Sequence, residues 1–287
     1  MSQEVIKDLL PLFIKSLETL KRSPSTILAY RADLEQLMEY LSQKSKVLPD
    51  QVNEADIDGF KTSLSNQKYT AKSVSRKLNA VKTFYRWLLS EKKVMSSPAE
   101  GVAHPKIENS APKFLSPLEY RALRDVVRAD ARIAAIVEII LQTGIRISEV
   151  ANLKLQNIKN DEISIESYAT QPERKVPVNK AAKESLDAYL KTRPNTDSNY
   201  VFVSKNGKPL AVRNIRAAID RYMHKAEMPQ FSVNDLRTTF IIENLKDKVD
   251  LVSLSKIVGH KRLSTTERYL ELAGVNESGK KQMLSEL

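Results

Sequence analysis

The sequence predicts a mainly helical protein with a small β-sheet. Apolar residues recur at helical spacing through most of the first hundred residues and again from about Arg213 to the C-terminus. Ser23 followed by Pro24 supplies an N-cap and first-position pair for one of these helices. In the middle of the chain, 162–166 and 175–178 alternate apolar and polar residues, which is typical of strands in a hairpin or small sheet.

Prolines and small polar residues interrupt the helical pattern and divide the chain into two domains. We predict an N-terminal helical domain over 1–100, a linker over 101–115 and a second domain over 116–287. The second domain begins with Ser116 and Pro117, which again suit an N-cap and the first helical position. A length of 287 residues with 41% hydrophobic content suits this organisation.

The composition restricts the class of function. A formal net charge of +11 indicates affinity for a polyanion, with nucleic acid the first candidate and an anionic membrane surface the second. The absence of cysteine excludes disulfides, thiolate catalysis and zinc-thiolate sites, and the three scattered histidines argue against a histidine-rich metal centre. The N-terminus lacks a signal-peptide pattern and no apolar run approaches about 18 residues. We therefore expect a soluble cytoplasmic protein.

One segment of the first domain carries positive charge on a single helical face. From 59 to 90 there is no acidic residue, and four basic side chains fall within an arc of roughly 120°. These four are Lys72, Arg76, Lys82 and Arg86. The opposite arc holds the apolar side chains Val74, Leu78, Val81, Tyr85 and Leu88. We interpret the basic face as a surface that binds DNA phosphates; a solvated basic face is the alternative.

One arginine of the second domain stands near a predicted helix start, and another stands beside a glycine turn. Ser232–Asp235 fits a capping pattern, and a helix starting there would direct Asn234 and Arg237 the same way. Arg146 follows a glycine turn and has Glu149 three residues later. Two guanidinium groups could bind one phosphate with forked hydrogen bonds. An arginine with a glutamate at this spacing is also common as a surface ion pair.

A histidine and a tyrosine complete the set. Gly259 is predicted to end a helix capped by Asp250 and to deliver His260 into a turn. Ser264–Glu267 repeats the capping pattern and predicts Tyr269 in the second turn of a short C-terminal helix. Arginine, histidine and tyrosine in this order could hold a phosphate and attack it. Taken singly, His260 could cap a helix end and Tyr269 could belong to the core.

The joint presence, order and spacing of these residues resembles the tyrosine recombinase (phage-integrase-like) family, especially its compact Xer-like members. The matching segments are Thr143–Glu149, Asp235–Phe240, Val258–His260 and Ser264–Tyr269. The resemblance also covers the 73–89 helix, the proline-rich linker and 173–178, which looks like the family's strand ending in Val-Pro. It extends through nearly the whole chain.

The resemblance implies a site-specific DNA recombinase. Tyr269 would be the nucleophile, giving a 3′-phosphotyrosyl intermediate and a free 5′-hydroxyl before religation to a partner strand. Arg146 and Arg237 would stabilise the charge that grows on the phosphate oxygens, and His260 would hydrogen-bond the phosphate or accept a proton. Glu149 fits the family's acidic position that supports the first arginine. No metal or cofactor is implied.

Two positions depart from the family pattern. Asn234 stands where the H-x-x-R box usually begins with histidine, and asparagine can donate a hydrogen bond but cannot take up a proton. The family's hairpin lysine, the general acid for the 5′-oxygen, has no counterpart from Asp161 to Arg174. Lys175 would replace it if the hairpin were shorter or rotated.

The resemblance also implies an assembly. Four protomers would hold two double-stranded DNA core sites with inverted repeats. The tail from Leu272 to Leu287 would dock into a neighbouring protomer; docking onto its own domain is the alternative. The biological role, by analogy, is that of a mobile element's own enzyme, such as a transposon's cointegrate resolvase.

Two other functions remain open at this stage. A type IB topoisomerase-like enzyme would share the nucleophile but relax one duplex as a monomer. A catalytically inactive relative would bind DNA as a regulator. A hydrolytic nuclease is disfavoured because the sequence offers neither a metal-binding carboxylate cluster nor a residue to activate water.

Overall fold

The structure is a computed structural model that describes residues 4–108, 111–159, 161–167 and 172–275. The chain forms two compact units, 1–110 and 111–287. Helices dominate and the named strands form one small sheet, which confirms the predicted fold class. No helix in the described ranges is long and apolar enough to cross a membrane.

Four α-helices build the described part of the N-terminal unit, residues 4–108. They are α1 (Ile6–Thr19), α2 (Pro24–Ser42), α3 (Glu54–Asn66) and α4 (Ala71–Ser90), with a short 3₁₀ helix at Pro49–Gln51. The side chain of Ser23 accepts a hydrogen bond from the Thr26 N–H, which confirms the N-cap predicted ahead of Pro24. The helices enclose an aromatic centre where the rings of Phe13 and Phe84 meet with centroids 5.2 Å apart.

Helix α4 has the two faces that its sequence predicts. All five apolar side chains of the predicted packing face are buried, namely Val74, Leu78, Val81, Tyr85 and Leu88. On the other face Lys72 and Arg86 are exposed. Lys82 is half-buried and its ammonium group donates to the carbonyl oxygen of Glu100 at 3.2 Å.

An aspartate on α2 neutralises part of the charge on α4. Asp33 is almost fully buried, and its carboxylate accepts hydrogen bonds from both terminal nitrogens of Arg76 and, at 2.8 Å, from Lys77. A buried carboxylate needs such partners, because an unpaired one is costly away from water. Arg76 therefore joins α2 to α4 while its side chain stays 48% exposed, and its contact with DNA phosphates stays a prediction.

Nine helices and three strands make up the described part of the C-terminal unit. They are α5 (Pro117–Val127), α6 (Ala131–Thr143), α7 (Ile147–Ala151), β1 (Ile158–Lys159), β2 (Glu162–Ile165), β3 (Arg174–Pro177), α8 (Lys180–Thr192), α9 (Val212–Lys225), α10 (Val233–Lys246), α11 (Leu251–Val258), α12 (Ser264–Glu267) and α13 (Leu270–Ala273), with a 3₁₀ helix at Leu155–Asn157. Ser116 and Glu119 cap α5 reciprocally, as the Ser-Pro signal predicts.

Helix α6 lies at the centre of the second core because it is apolar on nearly all sides. It packs against α8, α9 and α10. Its buried acid, Glu138, is paired with Arg124 of α5 at 2.6 Å. The helix ends at Gly144, whose φ of 63° lies in the left-handed region that favours glycine. The turn that follows leads directly to Arg146.

The strands form an antiparallel sheet in the order β1-β2-β3, which confirms the predicted hairpin. Ile163 lies opposite Val176, and both are buried against the core. Strand β1 was not predicted because two residues are too short to show alternation. Successive side chains of a strand point to opposite faces, so Arg174 shares the inward face of Val176 and Lys175 faces the other way.

The helices that carry the motif begin and end largely as predicted. At the start of α10 the Ser232 N–H donates to the Asp235 carboxylate at 2.7 Å. At the start of α11 the Asp250 carboxylate accepts from the Ser253 N–H at 2.8 Å. Gly259, with φ of 68°, ends that helix.

The predicted cap at Ser264 is wrong. Leu263 precedes α12 and no side chain caps it, because Ser264 is already the first helical residue. Helix α12 ends after one turn, so Tyr269 lies between α12 and α13 rather than in the second turn of one helix. The predicted docking tail lies outside the described residues from 276 onward.

Two left-handed glycines allow a matched test of packing at the Gly144 turn. A Cβ on Gly144 would collide with the ring of Phe240, whereas a Cβ on Gly274 would meet no described atom within 4 Å. We expect Gly274→Ala to lower the free energy of unfolding by about 1 kcal/mol, the cost of a left-handed alanine. Gly144→Ala should cost about 3 kcal/mol or more, because the ring must also move.

Urea unfolding of the full-length protein, followed by far-UV circular dichroism, measures both losses. Equal losses in the two variants would contradict a packing role for Phe240 against the turn.

Candidate active site

Two arginines that are distant in sequence meet at the end of α11. The Nη2 atom of Arg146 donates to the carbonyl oxygen of Gly259 at 2.6 Å, and that of Arg237 donates to the carbonyl oxygen of Val258 at 2.7 Å. Arg237 also donates through Nη1 to the carbonyl oxygen of Gly144. Carbonyls at helix ends lack helical partners, so they are available to such donors. The structure thus brings Arg146 and Arg237 together.

Glu149 is the counter-charge of these arginines. Its Oε2 accepts from the backbone N–H of Arg146 at 2.7 Å, and its Oε1 accepts from Nη1 of the same residue at 3.0 Å. Both carboxylate oxygens also accept from Arg174, each at 2.8 Å. Burial by itself would raise the pKa of Glu149, but hydrogen bonds from Arg174 and Arg146 outweigh it and hold the pKa below its ordinary value of 4.5.

Arg174 is a member of the cluster that sequence reasoning missed. Besides its fork onto Glu149, its Nε donates to the carbonyl oxygen of Ile257 at 2.8 Å, and its side chain is only 9% exposed. The available signal was its place in the predicted strand, where alternation puts it on the same face as the buried Val176. A charged side chain on an inward face requires a partner.

The cluster has excess positive charge, because three arginines share one carboxylate. Burial first, and then Arg146, lower the pKa of Arg237 to about 9, so its guanidinium is still charged at neutral pH. Burial, followed by Arg237 and Arg146, lowers the pKa of His260 to about 4. The imidazole is therefore neutral at physiological pH. An anion bound between the arginines would relieve their repulsion.

His260 and Tyr269 lie beside the arginines. The turn at Gly259 allows the His260 N–H to donate to the carbonyl oxygen of Ser255 at 3.0 Å. The rings of His260 and Tyr269 are nearly parallel, with centroids 6.3 Å apart and 13° between their planes. The Oγ1 atom of Thr266 lies 2.8 Å from His260 Nδ1. Sequence reasoning assigned Thr266 only to a capping pattern and missed this contact.

Two residues predicted for the site are not brought into the cluster. Asn234 is exposed in the first turn of α10. Its backbone carbonyl oxygen accepts a hydrogen bond from the Thr238 hydroxyl at 3.2 Å. The ammonium group of Lys175 pairs with Glu162 at 2.9 Å, and its side chain is 69% exposed. Because Lys175 follows Arg174 in the strand, it points away from the cluster, and its role as general acid stays an untested prediction that this geometry does not favour.

The cluster combines the elements of nucleophilic phosphoryl transfer. Two guanidinium groups can bind the phosphate oxygens, a neutral imidazole can exchange a hydrogen bond with them, and a phenol hydroxyl can attack phosphorus. Among the described residues there is no group of three or more histidines, aspartates and glutamates that could hold a metal ion.

Glu149→Gln should lower the free energy of unfolding by about 3 kcal/mol at pH 7, because the arginines lose their buried counter-charge. The folded pKa of Glu149 is depressed, so its carboxylate contributes stability above about pH 4.5 and this contribution is lost as the pH falls through the folded pKa. The difference between wild type and variant should therefore shrink in acid.

Urea unfolding at a series of pH values measures that difference. The control is Glu184→Gln, which removes an exposed carboxylate paired with Lys180 at 3.7 Å and should cost less than about 0.5 kcal/mol. A pH-independent loss in Glu149→Gln would contradict the electrostatic role.

Both parts of the chain match families of known proteins. Residues 113–274 match the phage integrase family, and residues 10–92 match the N-terminal SAM-like domain of phage integrases. The tyrosine recombinase XerC of Anoxybacillus flavithermus is 30% identical over 274 residues, which cover 91% of each chain. XerC of Staphylococcus saprophyticus is 29% identical over 272 residues, which cover 92% of this chain and 91% of the relative.

Solved structures have the same fold. XerA recombinase aligns with a TM-score of 0.53 at 25% identity over 95% of each chain. A λ integrase dimer bound to a COC′ core site aligns with a TM-score of 0.74 at 15% identity, over 91% of this chain and 97% of that one. The Tn1549 transposon integrase in complex with transposon right end DNA aligns with a TM-score of 0.74 at 18% identity, over 91% and 94%.

The family match covers more than half of the chain, and the arginines, histidine and tyrosine of the motif meet at one place in the fold. The chain belongs to the phage integrase family, and it is a site-specific DNA recombinase of the tyrosine type.

Proposed function

We propose that Tyr269 is the nucleophile that cleaves DNA in this recombinase. The observation that carries the proposal is the placement of Tyr269 beside His260, next to Arg146 and Arg237, whose guanidinium groups are anchored on the end of α11. The Tyr269 Oη atom would form a bond to phosphorus as the bond from phosphorus to the 5′-oxygen breaks. The tyrosine loses its proton and the 5′-oxygen gains one, leaving a 3′-phosphotyrosyl ester and a 5′-hydroxyl.

The arginines would stabilise the transition state of this step. Negative charge grows on the phosphate oxygens, and preorganised guanidinium donors stabilise it without reorganising. Arg146 and Arg237 are held by backbone carbonyls and, for Arg146, by Glu149, which supports such preorganisation. Religation reverses the chemistry: the 5′-hydroxyl of the partner strand attacks phosphorus and Tyr269 leaves.

Other residues would act around this centre. The neutral imidazole of His260 would form a hydrogen bond with the reacting phosphate. Asn234 is exposed near the start of α10, where its amide could donate to the DNA backbone in place of the usual histidine. The pairing of the Lys175 ammonium group with Glu162 on the opposite face of β3 favours a source other than Lys175 for the proton of the 5′-hydroxyl.

The N-terminal domain would bind duplex DNA through α4. Lys72 and Arg86 are exposed, Lys82 is half-buried, and the opposite face of the helix is packed into the core. Such a fixed row of cations suits a phosphate backbone and gives binding that weakens with salt. The predicted domain division of 1–100, 101–115 and 116–287 would serve this function if the two domains hold one duplex.

The active assembly would be a tetramer on two core sites with inverted repeats. A cavity of about 620 Å³ in the C-terminal unit supports this, because its mixed lining offers apolar contacts from Leu141, Phe240 and Ile257 and acidic groups from Glu243 and Asp247. These groups suit the tail of a neighbouring protomer, which carries Met283, Leu284, Leu287, Lys280 and Lys281. The proposed setting is cytoplasmic recombination of a mobile element or replicon, including transposition and cointegrate resolution.

Tyr269→Phe should abolish the covalent adduct between protein and a nicked DNA carrying the cognate site, because the phenylalanine ring has no nucleophilic oxygen. Denaturing gel electrophoresis after incubation measures the adduct. Tyr200→Phe removes a hydroxyl from another half-buried tyrosine of the same unit and should leave adduct formation unchanged.

The same reactions separate the alternative functions. A topoisomerase would relax supercoiled DNA that lacks the core site, and a DNA-binding regulator would form no adduct. Absence of an adduct with wild-type protein on the cognate site would refute the nucleophile assignment.

The double variant Lys72→Glu/Arg86→Glu should weaken DNA binding and lower the slope of log affinity against log salt by roughly one to two, because two phosphate contacts are lost. Fluorescence anisotropy at several salt concentrations measures both quantities. The matched control, Lys7→Glu/Lys15→Glu on α1, changes the net charge equally through two exposed lysines of the same domain. An unchanged slope for the α4 variant would contradict DNA binding by this helix and would support the alternative of a solvated basic face.

A further inference from the structure

Thr266 is a fully buried threonine whose hydroxyl contacts the active-site histidine. Its relative exposure is 0%, and its Oγ1 atom lies 2.8 Å from His260 Nδ1. Buried threonine hydroxyls elsewhere in this domain donate to a carbonyl oxygen four residues earlier, as Thr143 does to Ile139 at 2.5 Å and Thr239 does to Asp235 at 2.7 Å. For Thr266 the imidazole takes that place.

The direction of this hydrogen bond follows from the buried hydroxyl. An O–H group has one proton to donate, and leaving a buried donor unpaired costs about 1–3 kcal/mol. The hydrogen bond recorded for the Thr266 side chain is the one to Nδ1. If Nδ1 carried the proton and donated to Oγ1, the hydroxyl proton would lack this acceptor. The satisfied arrangement is therefore O–H donating to an unprotonated Nδ1.

We propose that Thr266 is a positioning residue that holds His260 in the tautomer with its proton on Nε2. A neutral imidazole has one donor and one acceptor nitrogen, so occupation of the acceptor by Thr266 leaves Nε2–H as a donor. Building on the proposed function, His260 then donates a hydrogen bond to a phosphate oxygen and does not act as the base for Tyr269. This decides between the two roles that the sequence leaves open for His260.

The surroundings of His260 favour a donor that stays neutral. The charged side chains that act on it are Arg237, Arg146, Arg268 and Arg174, all positive, and burial adds to their effect. The group stacked beside it is Tyr269. A further cation among these four arginines would be repelled, so the imidazole stays neutral. The property of His260 that remains to be controlled is its tautomer, and the Thr266 hydroxyl controls it.

Nitrogen NMR of the imidazole rings measures the tautomer directly. The chain has only three histidines, so ¹⁵N-histidine labelling of the full-length protein gives three ring systems, and His260→Gln identifies the signals of His260. We expect Nε2 to carry the proton in wild type and in Thr266→Ser, which keeps the hydroxyl. In Thr266→Val, which keeps the shape, the Nε2–H form should lose its dominance. A proton on Nδ1 in wild type, or an unchanged tautomer in Thr266→Val, overturns the proposal.

Cleavage of the nicked cognate site gives the functional readout. We expect Thr266→Val to slow adduct formation about tenfold, less than the hundredfold or more expected from losing a transition-state donor altogether. Thr266→Ser should recover most of the rate. Thr265→Val removes the neighbouring hydroxyl, which is less buried, and should leave the rate unchanged. A Thr266→Ser rate as low as that of Thr266→Val overturns the proposal.

The two measurements fail separately. If wild type forms no adduct, the proposed function fails while the tautomer is still measured. If wild type forms the adduct and the tautomer is Nδ1–H, only the role of Thr266 fails. Should Thr266→Val not fold, as judged by circular dichroism, the wild-type tautomer and the Thr266→Ser rate still decide the question.

Discussion

Hydrogen bonds from three arginines to successive carbonyl oxygens at the end of α11 hold this active site together. The carbonyls of Ile257, Val258 and Gly259 accept from Arg174, Arg237 and Arg146 respectively. These are the oxygens that a helix leaves without partners at its C-terminus, where the helix dipole favours positive charge. Glu149 adds the one carboxylate, and the remaining positive charge prepares the site for a phosphate.

The residues proposed to contact the reacting phosphate could be predicted from the sequence, whereas the residues that support them could be predicted only in part. Arg146, Arg237, His260 and Tyr269 belong to short segments with a recognisable order, and the turn chemistry around Gly144 and Gly259 is local. Glu149 was found because it is three residues from its partner. Arg174 and Thr266 support the site through contacts made only in the folded structure, and the spacing of residues along the chain does not predict such contacts. The alternation of side chains along β3, which turns Lys175 away from Arg174, depends only on the local strand.

The fold shows the same division between local and tertiary information. Helix starts at Ser23, Ser116 and Ser232 followed from capping chemistry, because caps involve neighbours within a few residues. The charge on α4 did not follow as simply. Helix α4 itself contains no acidic residue, but Asp33 of α2 forms ion pairs with Arg76 and Lys77. A segment of sequence shows which charges one helix carries. The net charge of its exposed face also depends on the elements that pack against it.

The shared anchor at the end of α11 makes the positions of the site's side chains depend on one another. The carbonyls that hold three guanidinium groups are joined, within one turn, to the backbone that carries His260. A small rotation of this helix end would move the three guanidinium groups and the imidazole together rather than one at a time. Displacing this one backbone segment would therefore disturb the whole cluster, although every side chain would keep its identity.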